Sequence, residues 1–257
     1  DFVDAQRLAY ADRDHFFADP DRVDVPVAAL LDQTYLQQRA AARFAPQAPP
    51  EHGDPTGSVA IGADTTEEAN GTTHLSIVDG EGNAVSFTAT VESAFGSARW
   101  VRGFVLNNEM TDFARSYDAK KPTPANVIEG GKRPRSSMSP TMVFDDSGEL
   151  VLVTGSPGGN SIPAYVAKTI LGVFDWQLTP QQAVDHPNII ARGSRVRVEI
   201  GVDGGMQVAE GLKNRGYEVQ ERKGENSGIH LIQVTKDGLI GVADKRREGT
   251  VQAWKVQ

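Results

Sequence analysis

The sequence contains no cysteine, which excludes a disulfide scaffold and any zinc site built on thiolates. That absence leaves the redox compartment open, because exported proteins also fold without thiols. No stretch reaches the ~18 uninterrupted apolar residues that a membrane-spanning helix needs. The most apolar run, 162–176, is broken by Lys168 and Asp175. Positive charge is not in excess: 34 acids stand against 26 Lys and Arg, a net charge of −8, which excludes a strongly basic nucleic-acid binder. Only five histidines occur, at 15, 52, 74, 186 and 230, and none has a metal-ligand spacing such as H-E-x-x-H. Each therefore reads as a surface or packing residue, and no metal site is expected. What remains, 39% apolar and 23% charged residues over 257 positions, is the composition of a globular protein of one large domain or two small ones.

The charge is divided unevenly. Residues 1–71 carry 13 acids and 5 basic residues, a net of −8, and residues 72–257 carry 21 of each. The chain starts at Asp1 without Met or a leader, as expected of a fragment or a processed piece. Helical spacing of Phe2, Ala5, Leu8, Ala9, Phe16 and Phe17 predicts a first helix, stopped by Asp19-Pro20-Asp21. A second helix is predicted over 26–44, opening at a proline. Residues 45–71, rich in Pro and Gly and poor in large apolar side chains, read as a mobile, exposed linker.

After Gly71 the texture changes. Two strands are predicted around Gly80-Glu81-Gly82-Asn83, two more around Asp145-Asp146-Ser147-Gly148, and two around Lys236-Asp237-Gly238. Between the last two hairpins, helices are predicted over 163–176, over 180–185 behind a Thr179 cap, and over 205–216. This order suggests an α+β fold, an antiparallel sheet covered by helices.

Four segments carry candidate chemistry. Gly71-Thr72-Thr73-His74 stands where the acidic linker meets a strand. Cleavage there would give Thr72 a free α-amine, with a pKa near ~7.7–8, able to act as base on its own hydroxyl. The same threonines also suit an ordinary strand start. Thr154-Gly155-Ser156-Pro157-Gly158-Gly159-Asn160 follows an apolar strand and precedes a helix. It reads either as a plain turn or as an oxyanion hole of backbone N–H groups. The Arg133-Pro134-Arg135-Ser136-Ser137 stretch could hold a carboxylate, or simply be a solvated loop. Glu109 and Asp112 could pair with a substrate ammonium, or be surface acids.

In sequence order, Thr72-Thr73-His74, Asn107-Asn108-Glu109-Met110-Thr111-Asp112-Phe113, Arg133-Pro134-Arg135-Ser136-Ser137-Met138-Ser139-Pro140-Thr141 and Thr154-Gly155-Ser156-Pro157-Gly158-Gly159 resemble the γ-glutamyltransferase (γ-glutamyl transpeptidase) family. The resemblance covers 72–257 as the catalytic small subunit. Residues 1–71, including Asp19-Pro20-Asp21-Arg22-Val23-Asp24-Val25-Pro26, resemble the C-terminal tail of the large subunit with its pre-cleavage linker.

The resemblance implies an N-terminal-nucleophile hydrolase fold, a four-layer αββα sandwich, and self-cleavage between Gly71 and Thr72. It implies that Thr72 attacks a γ-glutamyl amide, forms an acyl-enzyme and passes the glutamyl group to water, an amino acid or a peptide, with no cofactor. By the same resemblance Thr90 positions the nucleophile, Gly158 and Gly159 form the oxyanion hole, Ser136 and Ser137 hold the donor α-carboxylate, and Glu109 and Asp112 hold its ammonium. The rest of the large subunit is the implied partner, and the implied location is periplasmic or secreted.

Three departures from the family pattern bear on donor choice. Glu92 stands where the common Thr-x-Asn has Asn, and it is expected to turn toward the Arg99 and Arg102 region. Glu109 stands where many members have Gln. The family's carboxylate-binding arginine lies in the large-subunit body. Alternatives to glutathione-like donors are poly-γ-glutamate processing, a glutaryl (cephalosporin) acylase-like amidohydrolase, and a non-catalytic, uncleaved γ-glutamyl-binding relative. After cleavage the Gly71 end is expected on the order of 10 Å or more from Thr72.

Overall fold

The computed structural model describes residues 1–42, 45–57, 61–69, 71–115, 118 and 120–254. Helix α1 (Phe2–Phe16) buries Val3, Gln6, Arg7, Tyr10 and Arg13 on one stripe. The stripe docks on β7 (Ile189–Arg192): Gln6 Nε2 donates to Ile189 O at 3.1 Å and Gln6 Oε1 accepts from Ala191 N at 3.0 Å. The single helix predicted over 26–44 is instead two, α2 (Val27–Leu30) and α3 (Gln33–Ala41). Asp32 causes the break, because its side chain caps α3 by accepting from Thr34 N and Tyr35 N. The end of that prediction, Arg43 and Phe44, lies outside the described residues.

The three predicted hairpins form. They are β1 (Thr72–Val78) with β2 (Ala84–Thr90), β5 (Thr141–Phe144) with β6 (Leu150–Gly155), and β10 (His230–Thr235) with β11 (Gly238–Ala243). The last two join in the order β11–β10–β6–β5, all antiparallel. Helices α4 (Ile162–Phe174) and α5 (Pro180–Asp185) cover one face of this sheet. Leu152, Tyr165, Val184, Ile229 and Leu231 form the core between them. Thr179 and Gln182 make the reciprocal cap that starts α5.

The β1–β2 hairpin lies on the sheet's other face: Ser76 Oγ donates to His230 O at 3.3 Å and Ser86 Oγ to Thr154 O at 2.9 Å. The layers are thus helix, four-stranded sheet, two-stranded sheet. The hairpin's polarity is inverted. Its register pairs Thr72 with Thr90, His74 with Thr88 and Ser76 with Ser86 on the inner face. Leu75, Ile77, Val85 and Phe87 point outward and are exposed.

Two features escape the sequence patterns. A short hairpin, β3 (Trp100–Val101) and β4 (Phe104–Val105), precedes the Glu109–Asp112 segment. A three-stranded sheet of β7, β8 (Arg195–Glu199) and β9 (Glu218–Arg222) packs with α6 (Gly205–Asn214) around Val3, Ala191, Val196, Val198 and Ala209. Its β8–β9 pair is parallel, so α6 is a crossover helix rather than part of a uniform antiparallel design.

The expectation of an exposed, mobile linker is corrected at its C-terminal end. Asp64 is buried and accepts from Asn126 Nδ2 at 2.8 Å, while Glu67 pairs with Arg192 at 3.1 Å. Glu68 pairs with Arg13, and both side chains are 6% exposed. Acids that lack apolar neighbours in sequence are held here by arginines far along the chain. Ser58, Val59, Ala60 and Asn70 of the same segment lie outside the described residues.

Candidate active site

Thr72 opens β1 and Thr90 closes β2, and the antiparallel register sets them side by side. The Thr72 hydroxyl donates to Thr90 Oγ1 at 3.3 Å, and Thr90 Oγ1 also accepts from Glu92 N at 2.8 Å. Arg247 Nη1 donates to Thr72 O at 3.1 Å. Gly71 leads directly into β1, so the Gly71–Thr72 bond is intact and the Thr72 nitrogen is an amide. Glycine is required at 71 because an added Cβ would lie 2.3 Å from Glu92 O and 2.4 Å from Ser93 C. Gly71 N also donates to Glu92 O at 2.8 Å, which ties the residue before the threonine to the end of β2.

Around Thr72 gather Thr90, Glu92, Glu109, Asp112, Ser136, Met138, Gly159 and Ile162, with Glu68 and Ala69 of the linker. The structure thus brings most of the predicted site residues into one cavity. Gly158 lines the neighbouring cavity, beside Glu67, Glu68 and Asn160. Gly158 has φ +139, and a Cβ there would meet the Tyr165 ring at 2.5 Å, so both backbone and packing demand glycine. Gly159, at φ +56, opens the 3-10 turn that leads into α4. Ser137 lies one step deeper than Ser136: its N–H donates to Glu68 Oε2 at 3.1 Å and its hydroxyl bonds Arg13.

The acids behave differently from one another. A 3-10 turn over Glu109–Asp112 turns both carboxyls inward. Glu109 Oε1 and Asp112 Oδ1 are buried atoms without a hydrogen-bond partner among the described residues. Burial, and then the nearby carboxylates Glu68, Glu109 and Glu92, push Asp112 up to about 8. Burial and Glu92 likewise raise Glu109. Two crowded, partly unpartnered carboxyls form a site suited to a cation.

Glu92 does not turn toward Arg99 or Arg102, contrary to expectation. Its Oε1 accepts from Ala69 N at 3.3 Å and its Oε2 from Asn108 Nδ2. Asn108 in turn accepts from Ser93 N at 3.2 Å, locking the loop after β2. The cause is backbone geometry: Glu92 has φ +74, and that left-handed bend turns its side chain back over the site. Asparagine occupies this region at lower cost than glutamate, which gives a physical reason for the Asn of the family pattern.

Asp112 sets a pH dependence. The folded, uncleaved chain keeps this proton up to about pH 8, whereas an unfolded aspartate loses it near ~3.9. Between those values the folded state binds more protons, so its stability falls as pH rises. In a chain kept uncleaved, Asp112→Asn is expected to raise the melting temperature at pH 8 by several degrees more than at pH 4. Equal shifts at both pH values, measured by calorimetry, would refute this.

Arg13 and Glu68 were not singled out by sequence reasoning, and Asn108 and Asn160 stood inside candidate segments without a role of their own. Arg13 left one readable signal, a charge on the buried stripe of α1, three residues after Tyr10. His74 is a packing residue, as its lack of ligand spacing suggested. Its ring bonds Thr88 Oγ1 at 2.7 Å and fills the space against Gly155, and burial lowers it to about 4.

Comparison with known proteins gives the family. The gamma-glutamyltranspeptidase family profile matches residues 1–254. The chain belongs to this family. A glutathione hydrolase proenzyme of Pseudomonas aeruginosa is 35% identical over 258 residues, covering 96% of this chain and 44% of the relative. The chain thus spans less than half the length of that relative. A mutant of gamma-glutamyltranspeptidase from Pseudomonas nitroreducens superposes with a TM-score of 0.63 at 34% identity, covering 72% of this chain and all of the other. A cephalosporin acylase from Bacillus halodurans superposes with a TM-score of 0.81 at 25% identity, over all of this chain and 45% of the other. The fold of this gamma-glutamyltranspeptidase family chain is that of the N-terminal-nucleophile hydrolases, and its layers supply a large part of the αββα sandwich.

Proposed function

We propose that the chain is the catalytic part of a γ-glutamyltransferase or glutathione hydrolase that cuts itself before Thr72. The single observation that carries this reading is the cavity where the Thr72–Thr90 hydroxyl pair meets the buried, partly unpartnered acids Glu109 and Asp112. In the cleaved protein the Thr72 amine takes the proton of its own hydroxyl, and the hydroxyl oxygen attacks the γ-amide carbon. Gly158 and Gly159 N–H groups receive the negative charge that develops on the carbonyl oxygen. The amine returns its proton to the leaving nitrogen. Water, or the amino group of an amino acid or peptide, then attacks the glutamyl ester. Ser136 and Ser137 hold the donor α-carboxylate, and Glu109 and Asp112 hold its ammonium.

The acid pair favours this over a glutaryl acylase, because a glutaryl group has no ammonium to bind. Glu92 adds a third carboxyl, which favours donors that keep the ammonium free. The partner in this reading is the large-subunit body, laid over the exposed Leu75, Ile77, Val85 and Phe87. A periplasmic or secreted location goes with it. The test compares γ-glutamyl-p-nitroanilide with glutaryl-p-nitroanilide, using the full-length protein. At least tenfold higher kcat/KM on the γ-glutamyl compound is expected; preference for the glutaryl compound would point to the acylase, and no turnover of either to a binding protein.

A further inference from the structure

We propose that the cavity flanked by Gly158 is the acceptor subsite, and that Arg222 holds the carboxylate of the amino acid or peptide that takes the glutamyl group. The proposal deepens the γ-glutamyl reading above and rests on it.

The Gly158–Gly159 turn stands between two cavities. Gly159 lines the one that holds Thr72, Glu109 and Asp112, and Gly158 lines the other, a space of about 380 Å³. That volume falls within the ~300–1,000 Å³ of small-molecule sites. In the reading above, the first cavity takes the glutamyl end of the donor and the turn takes its carbonyl oxygen. The group on the far side of the amide then extends toward the second cavity. An acceptor adds to the carbonyl carbon that the leaving group has left, so the two share one place.

One side chain ties this cavity to the nucleophile. Arg247 donates from Nη1 to Thr72 O at 3.1 Å, and from Nε and Nη2 to Asn226 O at 3.2 and 3.0 Å. Asn226 lines the cavity. The wall is thus one guanidinium away from Thr72.

The charges in the wall differ in what they leave open. Arg197 is neutralised: its Nε and Nη2 donate to the two oxygens of Glu225 at 2.6 and 3.0 Å, and its Nη2 also reaches Ser161 Oγ at 2.6 Å. Tyr165 OH donates to the same carboxylate at 2.6 Å. Glu67 pairs with Arg192 and Glu68 with Arg13. Arg222 is different. Its backbone is fixed in β9, opposite Glu199 of β8, while no ion pair or side-chain hydrogen bond engages its guanidinium among the described residues. A carboxylate entering this cavity meets a cation with its donors open. A planar guanidinium can take both carboxylate oxygens at once, which fixes the orientation of the molecule that carries them.

The transfer step balances without Arg222. The neutral amine nitrogen of the acceptor bonds to the γ-carbonyl carbon, and the ester bond to Thr72 Oγ1 breaks. The proton that the nitrogen gives up passes by way of the Thr72 amine to the Thr72 oxygen. Arg222 acts earlier, by holding the other end of the acceptor so that its amine faces the ester.

Transfer from γ-glutamyl-p-nitroanilide to glycylglycine and to glycylglycinamide, which lacks the carboxylate, tests this on the full-length protein. The assay is run at about pH 9, where both amines are largely unprotonated, since an α-amine titrates near ~7.7–8.0. The parent is expected to use glycylglycine with at least fivefold higher kcat/KM, through a lower KM. Arg222→Gln is expected to bring the two acceptors within twofold of each other, and Arg222→Glu to favour the amide. Arg222→Lys, which keeps the charge, is expected to keep part of the preference. Self-cleavage, seen on a denaturing gel, shows that each variant has folded; should Arg222→Gln fail to cleave, Arg222→Met takes its place.

The proposal is overturned if the parent does not distinguish the two acceptors, or if the cleaved Arg222→Gln protein keeps the parent's preference. Hydrolysis of the donor with no transfer to either acceptor also overturns it, and leaves the γ-glutamyl reading standing. A protein that neither hydrolyses nor transfers sinks that reading, and this subsite with it.

Discussion

Thr72→Ala leaves the full-length polypeptide in one piece on a denaturing gel, and its turnover of γ-glutamyl-p-nitroanilide falls on the order of a thousandfold or more. Both losses have one origin. In the proposed mechanism the hydroxyl that lies 3.3 Å from Thr90 Oγ1 is the group that attacks a carbonyl carbon. In that mechanism the same oxygen would serve twice, first against the Gly71 carbonyl and then against the donor amide. Thr72→Ser keeps the oxygen and, once cut, the amine, and should retain part of each activity. Its smaller side chain loses the methyl that fixes the rotamer in the strand, so slower cleavage is expected than in the parent. A Thr72→Ala protein that still hydrolyses the donor at the parent rate would remove Thr72 from both roles.

Asp112→Asn is expected to cost about 2–5 kcal/mol in transition-state binding of a γ-glutamyl donor, because a buried ammonium loses its charged partner. At ~1.4 kcal/mol per factor of ten, kcat/KM falls about thirty-fold to several thousand-fold. Glu92→Asn should change the same constant less than tenfold. Glu92 is tied to Asn108 and to the linker's Ala69 N rather than aimed as an unpartnered acceptor. Asparagine also suits the φ of +74 better, and a gain of about 1 kcal/mol in stability is expected, read from denaturant unfolding of the uncleaved chain. A Glu92 variant crippled more than the Asp112 variant on one donor would reverse this ranking and point to a different substrate.

Local patterns placed the elements that local physics decides. The three hairpins carry Gly, Asn or Asp at their turns between apolar, β-branched runs, and α5 announces itself by Thr179 and Gln182. The helix predicted over 26–44 failed because Asp32 is a better cap than an interior residue. The parallel β8–β9 pair escaped because nothing in either strand reports a neighbour that arrives only after the crossover through α6. The site divides in the same way. Thr72, Thr90, Glu109, Asp112 and Ser136 were legible through motifs and a family resemblance and line one cavity, with Ser137 one step behind. Arg13 and Glu68 were not, since their meaning lies in meeting each other across 55 residues of chain. An acidic, proline-rich stretch reads as solvated until the arginines that receive it are known. Glu92 was misjudged because the sign of its φ, rather than its charge, decides where it points.

The inverted polarity of the β1–β2 hairpin has a consequence for handling the protein. Among the described residues no third strand joins the β1–β2 pair, and its edges flank a strip of Leu75, Ile77, Val85 and Phe87. Unpaired backbone next to exposed apolar side chains is the template on which chains stack edge to edge. Until the strip is covered, the segment that starts at Thr72 is prone to precipitate. Soluble yield should therefore track how quickly that cover arrives, and a lysine in place of Ile77 should rescue solubility of the uncovered chain while hindering its assembly.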